Sequence, residues 1–141
     1  MITPQITLKV GKEIPEDQLL SLYESCQWYA YTQGRRRSEL QQAVRDSTYV
    51  VTAWAGSKLI GLPRSLSDNS TILYLQDILV RPEFQRKSIG RQLLENCLER
   101  FKHVRSRVLL TDDEEKQIQF YESLGFKNTK DFEETTNTFV L

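Results

Sequence analysis

The chain has 141 residues, 39% hydrophobic and 27% charged, with nineteen basic residues balancing nineteen acidic ones. That is the make-up of a single globular domain, residues 1–141, with a core of its own. Balanced charge gives no drive toward nucleic acid or an anionic membrane, and no apolar run approaches the roughly 20 residues that span a bilayer.

Two cysteines, Cys26 and Cys97, make no disulfide framework. With the single histidine, His103, they make no zinc site, and no metal is expected. Both thiols read as small buried helical residues, which suits a reducing compartment. Met1 to Gln5 lacks signal-peptide character, so the expected location is cytoplasmic.

Ile6 to Val10 alternates and predicts a strand. Glu16 to Trp28 carries Leu19, Leu20, Leu22, Tyr23 and Cys26 at helical spacing. Trp28 to Arg37 reads as a loop rich in aromatics and arginines. Ser38-Glu39-Leu40-Gln41 has capping-box spacing and predicts the start of a second helix. Thr48 to Ala55 predicts a strand, turned at Gly56-Ser57 into a second over Lys58 to Leu66. Pro63 inside that run predicts an edge or a bulge, since it cannot donate to a ladder. After the Asp68-Asn69-Ser70 turn, Thr71 to Val80 is apolar except for Gln76 and Asp77, which predicts a strand covered on both faces.

Ile89, Leu93, Leu94, Cys97, Leu98 and Phe101 then mark a helix of about three turns. Arg107 to Leu110 predicts a short buried strand. A helix from the acidic Thr111–Glu115 segment runs to Leu124 and stops at Gly125. Phe126 onward and Thr135 to Leu141 predict two last strands. The order is β-α-α-β-β-β-α-β-α-β-β, an α/β fold with a mixed central sheet flanked by helices.

Two segments carry chemistry. Between Leu79 and Leu94 an apolar strand ends in a Pro82 turn, and a short basic stretch opens directly into a helix. Consecutive amides at a helix start, with Arg86, Lys87 and Arg91 nearby, suit a pyrophosphate. The same pattern also describes an ordinary strand-to-helix connection. The second segment is Tyr121 to Phe126, whose aromatics at a Gly-stopped helix end are by themselves equally suited to a core.

Taken together, with a strand between them, the two segments resemble the GNAT N-acetyltransferase superfamily. In that family a central strand leads into Gln/Arg-x-x-Gly-x-Gly/Ala, matched here by Gln85-Arg86-Lys87-Ser88-Ile89-Gly90. A Tyr-x-x-x-Gly-Phe closes the following helix, matched by Tyr121 to Phe126. The resemblance implies the GNAT fold and acetyl-CoA as cosubstrate. It implies main-chain pairing of Ile78, Leu79 and Val80 with the pantetheine arm. The pyrophosphate would be held by the amides from Gln85 or Arg86 through Lys87, Ser88, Ile89 and Gly90 to Arg91. The Tyr121 hydroxyl would meet the leaving thiolate.

Two positions depart from the pattern. Ser88 stands where the family usually has its first glycine, and Gln76 stands where many members carry a glutamate base. Gln cannot accept a proton at neutral pH, so a water chain held by Gln76 is the expected relay. Asp77 is adjacent, but neighbours on a strand point to opposite faces unless a bulge intervenes, and it reads as structural. A proton relay matters because an amine of pKa about 10.4 pays about 4.6 kcal/mol to be neutral at pH 7.

On the acceptor side, Trp28-Tyr29-Ala30-Tyr31-Thr32 lies on the loop that borders the acceptor pocket in this family. Tyr29 and Tyr31 are the expected amine contacts, by cation–π attraction, though aromatics at this place equally suit capping the edge of the core. The expected partner is an amine on a small molecule or a protein, with neither nucleic acid nor membrane, for a monomer or homodimer. The alternative is a CoA-binding regulatory or interaction module without acetyl transfer.

Overall fold

The computed structural model describes residues 4–134 and 136–141. The chain gathers into two compact units, Met1–Leu109 and Leu110–Leu141. The first holds, in order, β1 (Ile6–Val10), α1 (Glu16–Ser25), α2 (Arg36–Asp46), β2 (Tyr49–Ala55), β3 (Lys58–Ser67), β4 (Ile72–Val80), α3 (Ile89–Arg100) and β5 (Ser106–Leu109). The second holds α4 (Glu115–Ser123).

The five strands form one sheet in the order β1-β2-β3-β4-β5. The first four are antiparallel neighbours and β5 runs parallel to β4. A parallel pair needs a crossover, and α3 supplies it. The mixed α/β sheet flanked by helices is therefore as the sequence predicts.

Register decides which helix each strand residue meets. A Cβ built on Gly61 would touch Leu93 of α3 at 3.2 Å, so the face of Gly61 is the α3 face. The opposite face carries Leu62, Val50 and Leu79, which form one core cluster with Leu19, Leu22 and Tyr23 of α1 and Leu40 and Val44 of α2.

The register of β3 against β4 shifts between Arg64 and Ser65: Arg64 faces Asp77, but Ser65 faces Leu75. Gln76 is thus the extra residue of a β-bulge. The bulge turns the alternation over. Leu75 shares the α3 face with Ser65, while Asp77 and Leu79 share the α1 face with Arg64 and Leu62.

Several expectations are corrected. Pro63 lies in the middle strand, not at an edge. Arg81 N donates to Ile60 O at 2.8 Å, and the antiparallel alternation from that bond turns the Pro63 nitrogen toward β2. There the β2–β3 pairing lapses between Val50–Arg64 and Ala53–Gly61, so no ladder bond is asked of it. Helix α2 starts at Arg36, ahead of the predicted capping box. Ser38 Oγ donates back to Arg35 O at 3.1 Å, the local bond a serine makes inside a first turn.

Strand β5 is an edge strand with Arg107 and Val108 exposed, not a buried one. The two final strands are not formed among the described residues. Residues 126–128 are irregular, a 3-10 turn follows at Thr129–Asp131, and 136–141 carry no strand; Thr135 lies outside the described residues. β-propensity is realised only against a neighbour, and Phe139 and Val140 stand 91% and 86% exposed.

Candidate active site

Strand β5 pairs with β4 only from Ile72 to Leu75. From Gln76 to Val80 no described strand continues on that side, so the bulge begins an open stretch of backbone. Alternation turns the backbone groups of Leu79 and Arg81 toward β3 and those of Ile78 and Val80 toward the open side. Leu79 O lies 2.9 Å from where a Gly61 Cβ would stand, well inside the sheet. Val80 O accepts from Gln85 Nε2 at 2.9 Å and from Cys26 Sγ at 3.4 Å. Of the three positions expected to pair with an extended arm, Ile78 has both backbone groups on the open side, Val80 has its N–H there, and Leu79 is turned into the sheet.

The chain leaves β4 through Arg81, whose buried side chain staples it down. Nε donates to Leu59 O at 2.6 Å and one terminal nitrogen to Ser21 Oγ at 2.9 Å. A 3-10 turn at Pro82–Phe84 follows, and then two left-handed residues, Arg86 at φ 62° and Ser88 at φ 64°. Ser88 is the N-cap of α3 and its side chain makes no cap bond. The first intrahelical bond runs from Gln92 N to Ser88 O at 3.1 Å, so the amides of Ile89 and Gly90 precede the ladder.

Gln85, Arg86, Lys87 and Ser88 are exposed, Ile89 is buried, and Gly90 and Arg91 are half-buried. The Lys87 ammonium sits 5.6 Å from the Phe84 ring centroid, and Arg91 pairs with Glu95 at 3.1 Å. The result is a positive, amide-rich rim at the start of a helix, which fits an anion such as a pyrophosphate.

The expected acceptor residues separate. Tyr29 is 49% exposed. Tyr31 is half-buried and belongs to an aromatic cluster: it lies 6.0 Å from Trp28 in a stacked pair and 5.7 Å from Tyr23 edge-on. Trp28 and Tyr31 both pack against the core.

Beneath that cluster lies a network that sequence reasoning missed. Asp77 Oδ2 accepts from Tyr23 Oη at 2.7 Å and from Arg64 Nε at 2.5 Å. Arg64 also reaches Ser47 Oγ at 3.4 Å. Burial foremost, and then the charge of Asp77, raise the Tyr23 phenol well above its ordinary value. Asp77 is 1% exposed and paired with a cation, and the bulge has brought it to the α1 face. The signal in the sequence was a pair of opposite charges, Arg64 and Asp77, in the interiors of two neighbouring strands.

In the second unit, Tyr121 lies in the last turn of α4. Phe126 N donates to Tyr121 O at 3.1 Å as the chain turns through Gly125 at φ 96°. The Tyr121 ring stands edge-on to Phe120 and Phe126 at 5.2 and 6.1 Å. Burial pushes its phenol up to about 12. Among the described residues, no three His, Cys, Asp or Glu side chains are grouped as a metal site would need.

The acetyltransferase (GNAT) domain family matches residues 19–139. The uncharacterized N-acetyltransferase ycf52 of Pyropia yezoensis is 25% identical over 125 residues, covering 86% of this chain and 70% of its own length. A Gibberella zeae protein provisionally assigned as an acetyltransferase is 32% identical over 102 residues, which is 70% of this chain and 55% of that protein. Among solved structures, a GNAT-family acetyltransferase of Streptococcus pneumoniae superposes with a TM-score of 0.82 at 28% identity, covering 97% of this chain and 98% of its own. AAC(6')-Iy, solved with a bisubstrate analogue of CoA, shares the fold at a TM-score of 0.70 and 17% identity, with 97% of each chain covered.

Proposed function

Because the chain belongs to the GNAT acetyltransferase family, we propose that it moves the acetyl group of acetyl-CoA to a primary amine by direct attack in a ternary complex. The single observation that carries this reading is the continuity of the open β4 stretch with the left-handed turn into α3. One run of chain offers first strand-like backbone, then amides and cations, the order of chemistry along an extended arm that ends in a pyrophosphate.

Acetyl-CoA, when bound, supplies an activated acyl group and a good leaving group. The chain's own residues do the rest. Ile78, and Val80 through its N–H, align the arm; Leu79 supports it from within the sheet. The amides at Gln85 to Gly90 hold the diphosphate by hydrogen bonds and the helix dipole, with Arg86, Lys87 and Arg91 adding charge. Gln76, half-buried at the bulge, holds the first water of a chain that relays the amine's proton to solvent, since its own amide cannot accept it. Tyr121, assigned by the Tyr-x-x-x-Gly-Phe pattern, keeps its proton at neutral pH and donates toward the developing thiolate charge. Tyr29 and Tyr31 border the acceptor.

The test has two arms. Titration calorimetry with acetyl-CoA asks for binding, and thiol release asks for transfer across phenethylamine, spermidine, sisomicin and a peptide with a free N-terminus and lysine. Sisomicin is on the panel because an aminoglycoside acetyltransferase solved in complex with it shares the fold at a TM-score of 0.67. Binding with release on at least one amine supports the reading. Binding with silence across the panel favours a CoA-responsive module, which Gln76 and the strained Ser88 would suit. Absence of binding overturns both.

A further inference from the structure

We propose that Asp77 is a positioning residue that locks the donor strand and the acceptor loop into one geometry, an inference that rests on the acetyl-transfer reading above. Its two hydrogen bonds through Oδ2 go to different elements. Through Arg64, its partner in register on β3, it holds the bulge; through Tyr23 it holds α1 and the aromatic cluster of the α1–α2 connection.

A β-bulge has no intrinsic reason to stay where it is. Moving the extra residue by one position would put Gln76 opposite Arg64 and would carry the Asp77 side chain to the other face. The Arg64–Asp77 pair exists in one register only. Both side chains are buried, 8% and 1% exposed, so a slip would leave two unpaired charges in the core. The position of Gln76, and of the open stretch that follows it, is therefore set by this pair.

The second arm explains an otherwise odd contact. Tyr23 is fully buried and could sit in this core as phenylalanine. Its hydroxyl fixes the ring, and the ring is the edge-on support of both Trp28 and Tyr31, at 5.9 and 5.7 Å. The remaining oxygen of Asp77, Oδ1, is buried with no protein partner. A stability device would be better served by apolar residues: replacing a buried ion pair with well-packed hydrophobes is commonly neutral or stabilising. What the charged pair contributes instead is a unique geometry at the junction of two binding surfaces.

Two variants test this, Tyr23→Phe and the double variant Arg64→Met/Asp77→Leu. Both are expected to fold, with thermal midpoints near wild type. For the amine turned over fastest, Tyr23→Phe is expected to raise KM at least fivefold with kcat and acetyl-CoA affinity within twofold. The double variant is expected to lower kcat at least tenfold. Amide and indole 1H–15N spectra, which need no turnover, are expected to move at Gln76 in the double variant and at Trp28 in Tyr23→Phe. Folded variants with wild-type KM, kcat and spectra overturn the proposal. If the double variant does not fold, an unchanged KM and Trp28 signal in Tyr23→Phe overturns it alone. If wild type fails to bind acetyl-CoA, the function is wrong, and the Gln76 and Trp28 shifts still decide whether Asp77 positions them.

Discussion

The carbonyl oxygen of Leu79 lies so close to Gly61 on the neighbouring strand that a Cβ at Gly61 would stand 2.9 Å from it. No real Cβ tolerates that distance to a backbone atom, and Leu93 Cδ1 and Val80 Cγ2 crowd the same space at 3.2 and 3.4 Å. The absent side chain at Gly61 is what lets β3 support the open stretch of β4. Gly61→Ala must push Leu79 outward, at a cost of about 1–3 kcal/mol for overpacking. The expected result is a lower urea midpoint together with weaker acetyl-CoA binding by calorimetry. A variant as stable as wild type would show that β4 yields without strain.

Ser88 adopts φ 64° at the start of α3 and its hydroxyl caps nothing in the helix. A left-handed conformation costs a non-glycine residue about 1–2 kcal/mol, and glycine avoids that cost. Ser88→Gly is therefore expected to raise stability by up to about 1 kcal/mol, the unfolded chain's extra freedom offsetting the remainder. Acetyl-CoA affinity should hold or improve. Weaker binding in Ser88→Gly would mean that the hydroxyl itself contacts the phosphates.

Tyr121→Phe is expected to keep acetyl-CoA affinity within twofold and to lower kcat at least tenfold. Since burial raises the Tyr121 phenol to about 12, the hydroxyl stays protonated where an ordinary tyrosine near 10 would begin to ionise. The wild-type rate should show no decline attributable to this group between pH 9 and pH 11. An unchanged turnover in Tyr121→Phe, followed by thiol release under saturating acetyl-CoA, removes the residue from the mechanism.

Cys97 gives a pH prediction of a different kind. Burial pushes its thiol from the ordinary 9.0 up to about 12. The folded state thus holds the proton more tightly than the unfolded state. The associated stability is whole below pH 9 and is lost as pH rises from 9 toward 12, on the order of a few kcal/mol in all. Cys97→Val is expected to flatten that alkaline loss, read as the difference in urea midpoint between pH 8 and pH 10.5. An identical slope in both proteins would mean that other groups carry it.

Much of this was legible along the chain. Local patterns govern helices and strands when they are long: the stripe from Ile89 to Phe101 and the alternation from Ile6 to Val10 needed no tertiary context. The Gly125 stop is a local conformational demand, and the structure meets it with a left-handed residue. The segments misread were those whose state depends on a neighbour. Thr135 to Leu141 has strand-like residues, but the described part pairs with nothing. Arg107 to Leu110 looks buried in sequence and lies at an edge.

The candidate site divides the same way. The turn from Gln85 to Gly90 and the Tyr121 motif are contiguous words, readable because their backbone and side-chain chemistry is set within a few residues. The bulge at Gln76 is not. Its existence follows from how β3 and β4 register, and that register depends on Arg64 meeting Asp77, thirteen positions away, with Tyr23 joining from fifty-four. The sequence by itself determined the elements, the family pattern and the amide-rich turn. Only the tertiary structure decided that Asp77 faces α1, that Leu79 turns inward and that Tyr31 is braced while Tyr29 is not. A strand's facing depends on parity, and one inserted residue reverses parity for everything beyond it.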